Sequence, residues 1–500
     1  MQAAAGRDRI YVLTLVLTLV AICAFGVFVI RDYQDQGSQK VGLARLGGGT
    51  AAQGDSSLPS TGDTGSAAAQ GTTGTTGTAG SSAGSSAGSV GGTSPGGSAG
   101  TSAGSAGGSS AGSVARAGNG AGAAAAPVPA PVAGPGGTSP ACVNGHIRIG
   151  QIVAITGPLT MQTAANATAS YFKKVNSQGG INGCQVDFTY LDDGGLDQQK
   201  AAADARELVQ QDNVFAVVGG YTPITSSTTA PYFAKQGVPL VGSEGISLYQ
   251  YNNPVIYSFA CGPSGFGVSI LNEANRLGYK KVAVFYIDLD SIQLSFAALK
   301  EQAAKNGQEI VYSNNENISS ATYGTDVVAA RNANPDVVLN ILDANSAVRE
   351  INAMASNGWY PNLVGTTSSS DPVVIQQGAA WFNHPGHTVY AARNYWPANA
   401  NVPEVQDWIQ TEGQYFPGFD PNTYAEGSWL AAKIFTEQAR KLGSGLTRAS
   451  LINALNNLRN YHTGFTPDLT MTPDHGPNKQ ILYMKWDGTQ FNQATPFGPW

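Results

Sequence analysis

Charge is scarce in this chain. Only 12% of its 500 residues are Asp, Glu, Lys or Arg, and acidic residues outnumber basic ones 33 to 27. A nucleic-acid partner calls for a basic face, so that class of function is excluded. Histidine and cysteine are also few, five and four. Only His384 and His387 lie close together, flanking Pro385-Gly386, with no Cys or carboxylate cluster beside them to complete a metal site. The chain has no Gly-x-Ser-x-Gly, no P-loop and no His-Glu-x-x-His. Asp192-Asp193 reads as turn chemistry, not as an acid–base pair. No catalytic residue, metal or cofactor is therefore expected, and an enzyme is the least favoured class.

Large apolar side chains are nearly missing between Gly47 and Pro140. That stretch is Gly, Ser, Ala and Thr, with near-repeats such as those between Ser81 and Gly88. Without a hydrophobic face it cannot offset the entropy of ordering. It is read as a disordered tether, residues 31–141 in all. About 95 such residues have an end-to-end distance of roughly 50–60 Å, and Pro127 to Pro140 forms a stiffer last spacer. Ahead of it, Ile10 to Ile30 is apolar and uncharged, long enough to cross a bilayer as a helix. Arg7 and Arg9 place residues 1–9 in the cytoplasm and the rest of the chain outside. The rival is a cleaved signal peptide, whose apolar region is shorter and ends in an Ala-x-Ala-like site that is not evident here. Cys23 follows the bulky Ile22 where lipoprotein processing wants a small residue. The expected location is a single-pass cell-membrane protein with an extracellular C-terminal domain.

From Cys142 onward the composition becomes that of a folded domain. His146–Ile155 reads as a strand, Cys184–Leu191 as a second, Phe215–Val218 as a third and Val238–Val241 as a fourth, with helical patterns between them. This alternation predicts right-handed βαβ units and a parallel sheet. A second series follows Cys261, with strands at Val282–Ile287, Glu309–Tyr312, Val337–Leu342, Asn362–Val364 and Val389–Arg393. Helices are expected at Pro403–Tyr415, Thr423–Leu442 and Arg448–Leu458, then a hairpin from Gln480. The fold class is α/β, with two doubly wound parallel-sheet lobes over residues 142–500. Lobe 1 is set at about 142–261 plus 397–463, and lobe 2 at about 262–396 plus 464–500. In such sheets ligands bind beyond the carboxyl ends of strands. On that rule Thr222, Thr225 and Ser226 after the third strand, and Glu244 after the fourth, are candidate ligand contacts. So are Asp343 and Thr366 in the second lobe, with Tyr221 and Tyr395 as walls. Helix capping competes as the job of Thr225, Ser226 and Asp343.

Several short motifs occur in a familiar order: the strand at His146 running into Thr156-Gly157-Pro158, Gly179-Gly-Ile-Asn-Gly183, Leu191-Asp-Asp193, Val217-Val-Gly219, Gly237-Val-Pro-Leu240, Lys281-Val-Ala-Val284 and Asn334-Pro-Asp-Val337. Together they resemble the Leu/Ile/Val-binding family of type I periplasmic binding proteins over about Ile147 to Trp500. The resemblance implies a clamshell joined by a multi-strand hinge that closes on a small solute and delivers it to the permease of an ABC transporter. A surface sensor built on the same fold is the alternative. The family's Ser/Thr cluster maps to Thr222, Thr225 and Ser226, although Ile224 stands where its key serine is most often found. Glu244 replaces a small residue, Ser291-Ile292-Gln293 replaces a Tyr-Gly pair, and Thr366-Thr367 stands where an acid for an α-ammonium is sought. These differences argue against an ordinary aliphatic α-amino acid. The expected ligand is a small polar solute: an amino acid, an amide or a related compound.

Cys142 and Cys184 begin neighbouring parallel strands, on the edge away from the ligand. An extracellular compartment permits a disulfide between them. The competing reading is that both are buried thiols. Cys261 is expected to stay free.

Overall fold

A computed structural model describes residues 139–472, 475 and 478–500. The expected membrane helix at 10–30 and the tether up to residue 138 lie outside these. Among the described residues no helix is long and apolar enough to cross a membrane.

The first lobe is built on a five-stranded parallel sheet in the order β2-β1-β3-β4-β5. Its strands are β1 (His146–Val153), β2 (Gln185–Asp192), β3 (Ala216–Gly220), β4 (Leu240–Ser243) and β5 (Ile256–Tyr257). β1 and β2 run in register from His146 opposite Gln185 to Val153 opposite Asp192. Every residue of β3 is buried, as a continuous apolar run in a sheet covered on both faces requires. Helices α1 (Gln162–Ser177), α2 (Gln198–Arg206) and α3 (Ser226–Gln236) make the crossovers. The helical stretch expected from Gln198 to Gln211 is present, but its last turn, Glu207–Gln211, is a π-helix.

The second sheet follows the order β12-β11-β10-β9-β8-β6-β7. β6 (Lys281–Ile287), β7 (Glu309–Glu316), β8 (Val337–Ile341), β9 (Leu363–Gly365) and β10 (Val389–Arg393) are parallel. β11 (Gln480–Trp486) and β12 (Phe491–Gln493) add an antiparallel hairpin at one edge, and β13 (Gly498–Pro499) pairs with β11. Helices α4 (Gly262–Arg276), α5 (Asp290–Asn306), α6 (Gly324–Asn332), α7 (Ala344–Ser356), α8 (Pro372–Gln377) and α9 (Ala379–Phe382) pack on it.

The chain then returns to the first lobe with α10 (Pro403–Tyr415), α11 (Thr423–Leu442) and α12 (Arg448–Asn456). Trp408, Trp429 and Leu451 of these helices share a core with Phe172, Val218 and Val241. Tyr171 of α1 meets Trp429 of α11 edge to face, centroids 4.8 Å apart. At Gly242, φ is +79°, and a Cβ there would lie 2.2 Å from that of Ala431. Glycine is what lets α11 lie against the end of β4. The chain thus passes between lobes after β5, after β10 and before β11, as a three-stranded hinge. The last passage comes later than the expected residue 464. Phe465, Leu469 and Met471 are still part of the first lobe's core.

Cys142 and Cys184 form a disulfide, with Cα atoms 6.1 Å apart, and Cys261 is free and buried. The bridge closes a loop across a sequence separation of 42 residues. In the chain-entropy picture such a loop contributes about 4 kcal/mol. Replacing both cysteines by Ser is expected to lower stability in chemical denaturation by about that amount, with far-UV circular dichroism unchanged under native conditions.

Candidate functional site

The strands deliver their carboxyl ends to one place. Beyond β1 come Leu159 and Met161; beyond β3, Tyr221 and Pro223; beyond β4, Glu244 and Ile246. From the second sheet come Leu289 beyond β6, Asp343 beyond β8, Thr366 to Ser368 beyond β9, and Asn394 and Tyr395 beyond β10. These residues line one cavity between the lobes, with about 730 Å³ not occupied by atoms, part of it open to solvent. The same lining includes Phe266 of α4, Ile292 of α5, and Thr423 and Tyr424 at the start of α11. α11 is aimed there by its cap: the Asn422 carboxamide accepts the Tyr424 and Ala425 amides, each at 3.1 Å.

Five of the residues singled out from the sequence meet in this lining: Tyr221, Glu244, Asp343, Thr366 and Tyr395. The three hydroxyl residues do not. Thr222, Thr225 and Ser226 are buried, outside the cavity lining. The Thr225 hydroxyl donates to Asp193. The Thr222 amide donates to Glu244 Oε2 at 3.3 Å. Ser226 opens α3. The physical reason is that Asp193, buried beyond β2, needs a donor, and Thr225 supplies it. Trp396, next to Tyr395, packs edge to face on Phe497 at 4.9 Å and is not in the lining.

Sequence reasoning missed the apolar lining: Leu159, Met161, Ile246, Phe266, Leu289 and Ile292. Their signal was positional, since most of them follow a strand end. Tyr424 was also missed; its signal was an N-capping Asn ahead of a long amphipathic stretch.

The acidic residues here are held out of water. Glu244 accepts from the Thr222 amide and from the Gln250 carboxamide, both uncharged donors. Burial pushes its carboxyl up to about 7, with those hydrogen bonds pulling the other way. Asp343 caps α7, its Oδ1 accepting the Asn345 amide at 2.9 Å and the Ser346 amide at 3.2 Å. Its Oδ2 has no partner, and burial raises its carboxyl above the ordinary aspartate value. Capping and lining are thus both properties of this one residue. Beside the cavity, Arg393 at the end of β10 donates from Nη2 to Glu426 Oε2 of α11 at 2.6 Å, with both side chains buried. Arg393 Nη1 donates to Ser370 Oγ at 3.0 Å. Asp371 accepts the Thr423 amide at 3.4 Å, and burial pushes it up to about 8. Among the described residues no group of His, Cys, Asp and Glu is arranged to hold a metal ion.

The sequence profile of the periplasmic binding protein family matches residues 146–491. A Leu/Ile/Val-binding protein homologue of Brucella abortus is 22% identical over 348 residues, 64% of this chain and 82% of that protein. A solute-binding protein of an ABC transporter from R. palustris, solved with benzoate, superposes with a TM-score of 0.62 at 15% identity, covering 70% of this chain and 97% of that one. A fatty acid ABC transporter substrate-binding protein from Thermomonospora curvata gives a TM-score of 0.63 at 18% identity, covering 73% of this chain and 95% of that one.

The buried carboxyls make stability depend on pH. Burial pushes Glu350 and Glu412 up to about 8, as it pushes Glu244 to about 7, from an ordinary value of 4.5. No lysine or arginine is among the groups acting on these three. The native state therefore holds protons that the unfolded chain releases. Below about pH 4.5 both states are protonated and these groups contribute nothing. As pH rises from there toward 8, each lowers stability by about 1.4 kcal/mol per pH unit until its native pKa is passed. The ligand-free protein is expected to melt at a lower temperature at pH 8 than at pH 5. A melting temperature that is flat or rises over that range would refute the assignment.

Proposed function

Because the chain belongs to the periplasmic binding protein family, we propose that it captures a small solute between its lobes for ABC-type uptake, held at the extracellular face of the cell membrane by its N-terminal segment. The observation that carries this reading is the cavity. It is walled by both sheets, at the strand ends where doubly wound folds bind ligands. The permease partner is supported by the relatives, whose names place them in ABC transporters. The membrane anchor is supported by the uncharged apolar run Ile10–Ile30 and the long Gly/Ser-rich stretch after it. In this reading the protein is a carrier and not an enzyme, and residues 142–500 form its two lobes.

The lining supports a solute with a substantial apolar body. Leu, Ile, Met and Phe side chains from both lobes face the same space, and enclosing apolar surface there contributes roughly 25 cal/mol per Å². Tyr221, Glu244, Asp343, Thr366 and Tyr395 are the polar contacts proposed for the solute's other end. Of the three hydroxyl residues, Thr222 would act on it through Glu244, to which its amide donates; Thr225 holds Asp193, and the Ser226 hydroxyl has no partner.

Two measurements test this. A thermal-shift screen of the protein against amines, amides, amino acids, aromatic acids and fatty acids is expected to find a solute that raises the melting temperature. Leu289→Trp, which puts an indole into the cavity from a half-buried position, is expected to weaken that solute by at least about tenfold. Unchanged calorimetric affinity in this variant would place binding elsewhere. For the anchor, the full chain is expected to sediment with membranes and keep its N-terminal peptides, and deletion of residues 1–30 is expected to release it. A mature N-terminus beyond residue 30 would refute the anchor.

A further inference from the structure

Charge around the cavity is one-sided. Glu244 reaches it from the first lobe and Asp343 from the second, and no Lys or Arg is among the lining residues. The nearby cations are engaged. Arg393 donates to Glu426 and Ser370. Arg349, whose charge acts on Asp343, donates to the Ile318 carbonyl and to the Tyr323 and Ser346 hydroxyls. Glu244 is answered only by an amide and a carboxamide.

Two buried polar groups at this cavity have no partner. Asp343 is 8% exposed and its Oδ2 accepts no hydrogen bond; Thr367 is 4% exposed and its Oγ1 makes none. A buried carboxylate oxygen left unpaired is costly, and such groups are usually matched by a ligand, an ion or water. The lining that holds the two acids is also aromatic. Tyr221, Tyr395, Tyr424 and Phe266 all line the cavity, and the Tyr221 and Tyr424 rings lie 6.0 Å apart, inclined by 77°. Ring faces attract organic cations, most strongly where water is excluded.

Taking the solute-binding reading as given, we propose that the solute is an organic cation with an apolar body and no carboxylate: an alkyl- or arylalkyl-amine or its quaternary ammonium counterpart. The positive end sits among the tyrosine rings with Glu244 and Asp343 as counter-charges, and the apolar body lies against Leu159, Phe266, Leu289 and Ile292. A carboxylate in the same space meets two acidic side chains and no basic one. An α-amino acid satisfies the acids with its ammonium and leaves its own carboxylate unanswered.

The test uses matched compounds on the full-length protein in calorimetry. One series is 2-phenylethylamine, 2-phenylethanol, 3-phenylpropanoate and phenylalanine; the other is isopentylamine, isopentanol, 4-methylpentanoate and leucine. The amine of at least one series is expected to bind at least about tenfold tighter than its carboxylate and amino-acid counterparts. Glu244→Gln is expected to weaken the amine about tenfold or more and to leave the alcohol nearly unchanged. Asp343→Asn keeps an oxygen for the α7 cap and serves as the second variant, with the same expected direction, should the first not fold. A carboxylate or amino acid that binds as tightly as the amine overturns the cation and leaves solute binding standing. Wild-type amine affinity in the folded variants overturns it as well. Silence from both series also overturns it, and the solute-binding reading falls with it only if the broad thermal-shift screen is silent too.

Discussion

The structure turns on how it keeps acidic side chains out of water. Removing an ionised carboxyl from water costs several kcal/mol unless something answers the charge. The answers here differ from site to site. Glu426 has a guanidinium at 2.6 Å. Asp193 has the Thr225 hydroxyl and the Gly195 amide. Glu244 has only uncharged donors, and Asp343 has one oxygen engaged and one free. The charge of Glu426 is answered by a cation and that of Asp193 by two donors, although Glu426 Oε1 has no partner. Neither Glu244 nor Asp343 has a cation bonded to it, and both open onto the cavity. The same low dielectric that makes them costly magnifies any charge a solute brings.

That arrangement follows from chain direction. In parallel sheets every strand ends on the same edge, so short polar or acidic turns after successive strands collect together. Here two sheets point those edges at one space. The long helix α11 completes the wall because Gly242 lets it come close to β4 and Asn422 starts it beside the cavity. The Cys142–Cys184 bridge lies before β1 and β2, at the opposite ends of the strands, where it can stabilise the fold without touching the site.

The sheet strands were legible because their apolar runs are short, continuous and separated by turn chemistry, as at Phe215–Gly220 and Val337–Leu342. Part of the cavity lining was legible for the same reason: Tyr221, Glu244, Asp343, Thr366 and Tyr395 all follow strand ends. Thr225 lies outside the lining for a specific reason. A hydroxyl at a helix start can serve a ligand or a neighbouring acid, and the choice was made by Asp193, which lies 32 residues earlier in sequence. The apolar lining was illegible because Leu159 or Ile292 reads as core until the partner lobe is placed opposite it. The expected boundary at residue 464 falls early because no composition change marks the stretch after it, where the Phe465, Leu469 and Met471 side chains still pack inside the first lobe.

The buried Arg393–Glu426 pair joins these themes. It links the end of a second-lobe strand to the long helix of the first lobe. A buried ion pair of this kind adds little net stability compared with well-packed apolar residues, but breaking it by removing one partner costs about 3–5 kcal/mol. Its worth is therefore geometric. Tyr395 lies two residues beyond Arg393, and Tyr424 lies two residues before Glu426. Both tyrosines line the cavity. The pair therefore ties together the two chain segments that carry these rings. The ion pair thus joins the backbone behind two walls of the cavity, although neither of its members is part of the lining.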